Sequence, residues 1–327
     1  MLHRWRLFFP LLLIATQAVA SAPPAALEAE IVQLSEDSGG VVGVAAWRLD
    51  GKGPRVQVNG SERFPMASTF KVAVAGTVLA GVDAGRIQLD RMISIDPAVF
   101  VPSEVIADRF IHPGVSLSVA NLLELMLTQS DNTATDVLTS LAGGPAAVTS
   151  WVRSQGVRDQ RIDRDTQGLL RDFFDLPPGP FQEVLAKAAQ ENPGFEEKGM
   201  HPLAAFDDDP RDTSTPEAMA QLLTKIFSGG ALSEQSTKLL IGIMERCRTG
   251  DARLRARLPA GTVVANKTGT IGGSVNDVGV ITLPRDQGQV VITVFIKKSD
   301  LPFEKRERVI AEIARSVRDY YLFASGS

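Results

Sequence analysis

Residues 64–80 read Phe64-Pro-Met-Ala-Ser68-Thr-Phe-Lys71-Val-Ala-Val-Ala-Gly-Thr-Val-Leu-Ala80. From Ser68 onward Lys71 is the single charge, and the run is long enough for about three to four helical turns. If Ser68 opens that helix, the i,i+3 spacing puts its hydroxyl and the Lys71 amine on one face, about 5–6 Å apart at Cβ. A helix that is apolar all round is buried. Lys71 then enters a poorly solvated site, where the charged ammonium is disfavoured and its pKa falls. An amine that is partly neutral beside a serine hydroxyl makes a nucleophile with its own base, the chemistry of serine acyl transfer. Taken alone, the same pair also fits an N-cap serine followed by a solvated first-turn lysine. Two further stretches decide between them.

The first is Ser130-Asp131-Asn132, at the end of a helical pattern in which Ser118 is an N-cap and Leu122, Leu123, Leu125 and Met126 are the apolar positions. By itself it suits a turn. The second is Lys267-Thr268-Gly269-Thr270 on a predicted strand, which alone would fit an edge strand guarded by a lysine. Ser-x-x-Lys, Ser-Asp-Asn and Lys-Thr-Gly in this order, each on the type of element an active site uses, form a specific combination.

Around these motifs the chain has a simple order. Leu27, Ile31 and Leu34 follow helical spacing over residues 24–36. Val41–Leu49 and Arg55–Val58 read as a hairpin around a Gly/Pro turn. Residues 64–260 are mostly helical by pattern. Strand-like runs return at Val263–Thr268, Val275–Leu283 and Val290–Lys297, and an amphipathic helix covers about 303–321. Helix, strands, helical block, strands, helix predicts an α+β (α/β/α) fold. One sheet lobe is built from both chain ends, 21–63 and 261–327, with a helical lobe at 64–260 inserted between them.

Composition narrows the function classes. Residues 1–20 read as a signal peptide, with Arg4 and Arg6 before an apolar stretch and Ala18-Val19-Ala20 as the cleavage site. That stretch is too short to span a bilayer, and no later one qualifies, so a periplasmic or secreted chain is expected. About 307 of the 327 residues would remain, enough for one large core or two packed lobes. The net charge of −4 becomes about −6 without Arg4 and Arg6, and no basic patch appears, which argues against nucleic acid. Cys247 is the single cysteine, so an internal disulfide and a cysteine zinc site are excluded. Beyond residue 20 the histidines are His112 and His201, each followed by proline and neither in a triad context. No metal or organic cofactor is indicated.

With these motifs on the page, the chain resembles the class A serine β-lactamases, within the wider family of penicillin-binding proteins. The resemblance runs from the N-terminal helix to the C-terminal one and extends to Arg161-Ile-Asp-Arg164, Asp209-Pro-Arg-Asp212-Thr-Ser-Thr-Pro216 and Thr249-Gly-Asp-Ala-Arg253. It implies a five-stranded antiparallel sheet flanked by helices, with the site between sheet and helical lobe. It implies further that Ser68 is acylated by a β-lactam, with Lys71 as base or relay and Ser130 passing a proton to the lactam nitrogen. Lys267 would hold Ser130 and keep the site electropositive. Asn132 would bind the substrate amide; Thr268, Thr270 and Arg253 would hold its carboxylate; N–H groups of Ser68 and Thr270, across Gly269, would form the oxyanion hole. A monomer acting on a small β-lactam or an acyl peptide is expected.

Three departures stand out. The family's deacylating glutamate lies two residues after the arginine matched by Arg164, and here that position is Thr166. Leu170 replaces the asparagine that helps hold the hydrolytic water. The loop between Arg164 and Asp212, which should pair to close it, is much longer than in the family and carries Phe173, Phe174, Phe181, Phe195 and Phe206. The aromatics predict a packed lid, with a short helix at Phe181–Gln190. Its nine acids, together with Asp165, leave the deacylation base open. A D,D-peptidase- or esterase-like relative, or a slowly deacylating penicillin-binding protein, is the alternative reading.

Overall fold

A computed structural model describes residues 23–103, 105–110 and 112–324. The expected signal peptide therefore lies outside the described residues. Five antiparallel strands form the central sheet: β1 (Val41–Arg48), β2 (Val56–Val58), β3 (Val264–Ile271), β4 (Ser274–Thr282) and β5 (Gln289–Lys297), in the order β2-β1-β5-β4-β3. The fold class read from the sequence is the one observed.

Period-two alternation sends each strand's apolar residues to two different cores. Val42, Val44 and Ala46 on β1 and Val290, Ile292, Val294 and Ile296 on β5 face the helices Pro24–Glu36 and Phe303–Ala324, through Leu27, Ile31, Ile310, Ile313 and Val317. Ala45 and Trp47 on β1, Val278 and Val280 on β4, and Val291 and Phe295 on β5 face the helical side. There the Lys71–Asp83 helix runs through the larger core with Val72, Ala73, Val74, Val78 and Leu79 fully buried. Burying one such side chain contributes about 1.5–3 kcal/mol, so the helix is fixed by packing on every face.

Two features bring the chemistry to one place. β3 is an edge strand of the sheet and passes beside the chain at Ser68. A Cβ on Gly269 would stand 2.6 Å from Met66 O and 3.0 Å from Ser68 N, so no other residue fits there without displacing the strand. On the helical side, Val119–Thr128 ends at Gln129 and Asn132–Leu141 begins after Asp131, leaving Ser130 in the turn.

The long loop is folded. It forms helices Thr166–Phe174, Phe181–Glu191, Phe195–Lys198 and Ala204–Asp207. Arg164 Nε meets Asp212 Oδ2 at 2.6 Å, as the motifs predict, and Arg164 also reaches Asp172 at 2.7 Å and Asp209 at 3.3 Å. Phe173 contacts Phe174 and Phe206 edge-on, with ring centres 5.0 and 5.1 Å apart. Leu169, Phe173 and Phe206 then pack on Ala67 and Ile271. Gly272, in the turn after β3, has φ +55° and donates its N–H to Gly199 O at 2.8 Å, so the insert rests on the hairpin carrying Lys267.

Candidate active site

Ser68 lies in a 3-10 turn, Ala67–Phe70, and the α-helix proper begins at Lys71. The serine thus precedes the helix by one tight turn instead of being its first residue. Thr69 Oγ1 donates to Met66 O at 2.8 Å, and Asn276 on β4 donates its side-chain amide to Pro65 O at 2.9 Å and Met66 O at 3.1 Å. These bonds fix the approach to Ser68, whose Oγ has no hydrogen-bond partner among the described residues.

Lys71 is fully buried, and its ammonium makes three contacts: Ser130 O at 2.7 Å, Asn132 Oδ1 at 2.8 Å and Ser130 Oγ at 3.2 Å. Lys267, also fully buried, donates to Ser130 Oγ at 3.0 Å and Thr268 O at 2.9 Å. Ser130 Oγ therefore bridges two amines from opposite sides of the site. The turn pays for this with backbone strain, because Ser130 takes a left-handed φ of 59°. Asp131 stabilises it: Oδ1 accepts from Ala134 N at 2.7 Å, and Oδ2 from Ser103 Oγ at 2.8 Å and Ile106 N at 2.9 Å.

Burial drives the Lys71 pKa well below the ordinary lysine value, and the charge of Lys267 pushes it the same way; Asp131 and Asp136 oppose. Burial takes Lys267 down to about 8, against the pull of Cys247 and Asp277 and with a further push from Arg253. An amine that gives up its proton easily and a second that stays largely charged near neutrality thus face one hydroxyl.

The remaining expected residues surround this centre. Thr268 is buried, with its hydroxyl 2.6 Å from Thr249 Oγ1. Thr270 is exposed and accepts from Arg253 Nη2 at 2.7 Å. Arg253 is only 6% exposed, and its other donors are held by Gly269 O, Asn276 O and Glu307. It braces Thr270 from beneath more than it presents a free fork. Asn132 also donates to Pro102 O at 2.8 Å. Asp165 caps the Thr166–Phe174 helix by accepting from Gly168 N at 2.8 Å.

The sequence reading missed Asn276 and Asp136. Asp136 Oδ1 accepts from Thr166 N at 2.7 Å and Oδ2 from Gln167 N at 2.9 Å. Neither residue belongs to a motif, and each acts on a segment far away in sequence, so no local pattern could have found them.

Comparisons with known proteins show the family. Residues 26–321 match the family model described as the β-lactamase enzyme family. The chain is 31% identical over 312 residues to the extended-spectrum β-lactamase PER-1 of Pseudomonas aeruginosa, covering 92% of this chain and 89% of that one. It is a class A serine β-lactamase. Among solved structures, an ancestral (GNCA) class A β-lactamase is 37% identical with a TM-score of 0.74, covering 90% of this chain and 99% of that one. A β-lactamase from Chitinophaga pinensis is 31% identical with a TM-score of 0.74, covering 90% and 98%. The enzyme is accordingly a β-lactam hydrolase.

Proposed function

We propose that this β-lactamase opens its substrate through an acyl–Ser68 intermediate. The observation that carries the reading is Ser130 Oγ held between two buried amines, Lys71 at 3.2 Å and Lys267 at 3.0 Å. The Lys71 amine takes the Ser68 proton as Oγ bonds the lactam carbonyl carbon. As the carbon–nitrogen bond breaks, Ser130 gives its proton to the nitrogen and is resupplied by Lys71. N–H groups of Ser68 and Thr270 receive the developing oxyanion, each donor contributing about 3–4 kcal/mol in sites of this kind. The close approach at Gly269 supports that pairing. Lys267, Thr268 and Thr270, the last braced by Arg253, hold the substrate carboxylate, and Asn132 its amide.

The enzyme acts as an exported monomer after loss of residues 1–20. Among the described residues no helix is long and apolar enough to cross a membrane.

Intact mass followed over time with a penicillin, beside product absorbance with a chromogenic cephalosporin, tests the mechanism. A transient adduct with catalytic product formation is expected, and Ser68→Ala should show neither. An adduct that survives in Ser68→Ala sinks the assignment of the nucleophile; no adduct in the native enzyme turns the search to acyl peptides.

A further inference from the structure

We propose that Asp136 is the base that activates water for hydrolysis of the acyl–Ser68 ester; this rests on the mechanism above. The position where a class A glutamate would stand is occupied by Thr166, which has no carboxylate. Most acids of the insert are engaged elsewhere or turned outward; Asp207 is buried without a hydrogen-bond partner among the described residues, but it lies in the field of Lys298 and Lys297 and is not among the carboxylates that act on Lys71. Asp172 pairs with Arg164 and Arg211, Asp208 with Lys298, and Asp209 with Arg211, while Glu191, Glu196 and Glu197 are exposed. The carboxylates whose charge acts on Lys71 are Asp131 and Asp136. Both Asp131 oxygens are taken by Ala134 N, Ser103 Oγ and Ile106 N. That leaves Asp136.

Its placement suits the role. Asp136 follows Asn132 by one helical turn, and Asn132 Oδ1 is 2.8 Å from Lys71 Nζ, so the two side chains share one helix face. Its carboxylate touches the backbone N–H of Thr166, the very position of the missing glutamate. Each oxygen spends one lone pair on a backbone N–H and keeps another. The Thr166 hydroxyl is buried, at 6% exposure for the residue, and lies against the same carboxylate. Together the carboxylate and the hydroxyl form a buried polar pair able to hold a reacting water. A cavity of about 400 Å³ is lined by Asp136, Asp165, Gln167, Ser140 and Arg91.

In the step itself the water oxygen bonds the ester carbonyl carbon and its proton passes to Asp136. Collapse breaks the bond from that carbon to Ser68 Oγ, and the proton returns from Asp136 through Lys71 to the serine oxygen. The charged groups around Asp136 are Asp165 before the insert helix, Lys71 and the Arg91 that lines the cavity. Burial, with the Asp165 charge, pushes Asp136 up to about 7, against the two backbone N–H groups and the Thr166 hydroxyl. The base is ionised above that pH, so deacylation should rise with pH through about 7 and then level.

The test is single-turnover kinetics by mass on the full chain. Asp136→Asn should still form the adduct but lose about 10²–10⁴-fold in deacylation, leaving that adduct persistent. Asp165→Asn keeps a good cap for Gly168 but removes the charge that raises Asp136, so the pH inflection in deacylation should move down. Native deacylation in Asp136→Asn overturns the proposal. If that variant fails to fold, an unmoved inflection in Asp165→Asn overturns it instead. Loss of the adduct in both would count against the acyl–Ser68 mechanism itself.

Discussion

The two sides of Ser68 are held by different means. On one side Lys71, Ser130 and Lys267 sit on or beside elements of the main core: a helix buried on every face, a turn locked by Asp131, and an edge strand pressed against Ser68. On the other side the insert packs in two small clusters around Phe173, Phe206, Leu176 and Phe181, and its longest helix buries a single residue, Phe181. Its anchors are the polar contacts of Arg164 with Asp212, Asp172 and Asp209, and of Asp136 with Thr166 and Gln167. It also holds Asp207, 4% exposed and without a hydrogen-bond partner among the described residues, whose carboxyl burial pushes up. In the proposed mechanism, the half of the reaction that forms the acyl-enzyme rests on rigid packing. The proposed deacylation half rests on a segment with few buried contacts, which places it at the low end of local stability.

Asp212→Ala is the sharpest way to separate the two. It removes the acceptor of Arg164 Nε and of the Asp163 and Arg164 N–H groups, at a residue 3% exposed. Breaking such a buried pair costs about 3–5 kcal/mol. Amide exchange over 163–212 should quicken and turnover fall, while adduct formation survives; equal loss of both would mean that the two sides form one cooperative unit.

Gly269→Ala attacks the rigid side. The added methyl drives β3 away from Ser68, and a misplacement near 1 Å costs about 10²-fold in rate. Stopped-flow acylation should drop by that order with exchange in the insert unchanged.

The smallest effect is one of pH. The proposed mechanism needs Lys267 charged, so acylation should decline as pH rises through about 8. Stability moves the other way. The folded-state value lies below 10.5, so the unfolded chain binds more protons between about 8 and 10.5, and stability rises with pH across that window. Parallel melting and acylation profiles that fell together would contradict this account of Lys267.

The rigid side was legible because its information is local. The i,i+3 spacing of Ser68 and Lys71, the uncharged run behind them and the alternation along β1, β4 and β5 each state which face is buried. The Arg164–Asp212 pair and the aromatic packing of the insert were also readable, from motif and composition. Asp136 was not, because a lone aspartate in a helix carries no pattern until the insert's first turn is laid on it.

The sequence by itself determined the α+β fold, the three motifs and the absence of the usual glutamate, since those are properties of residue type and spacing. Only the tertiary structure decided that one hydroxyl stands between two buried amines, and that the Asp136 carboxylate accepts from the Thr166 N–H. Ser130 is 59 residues from Lys71 and 137 from Lys267. Their pKa values depend on burial and on charges summed through space, which no stretch of the chain contains alone.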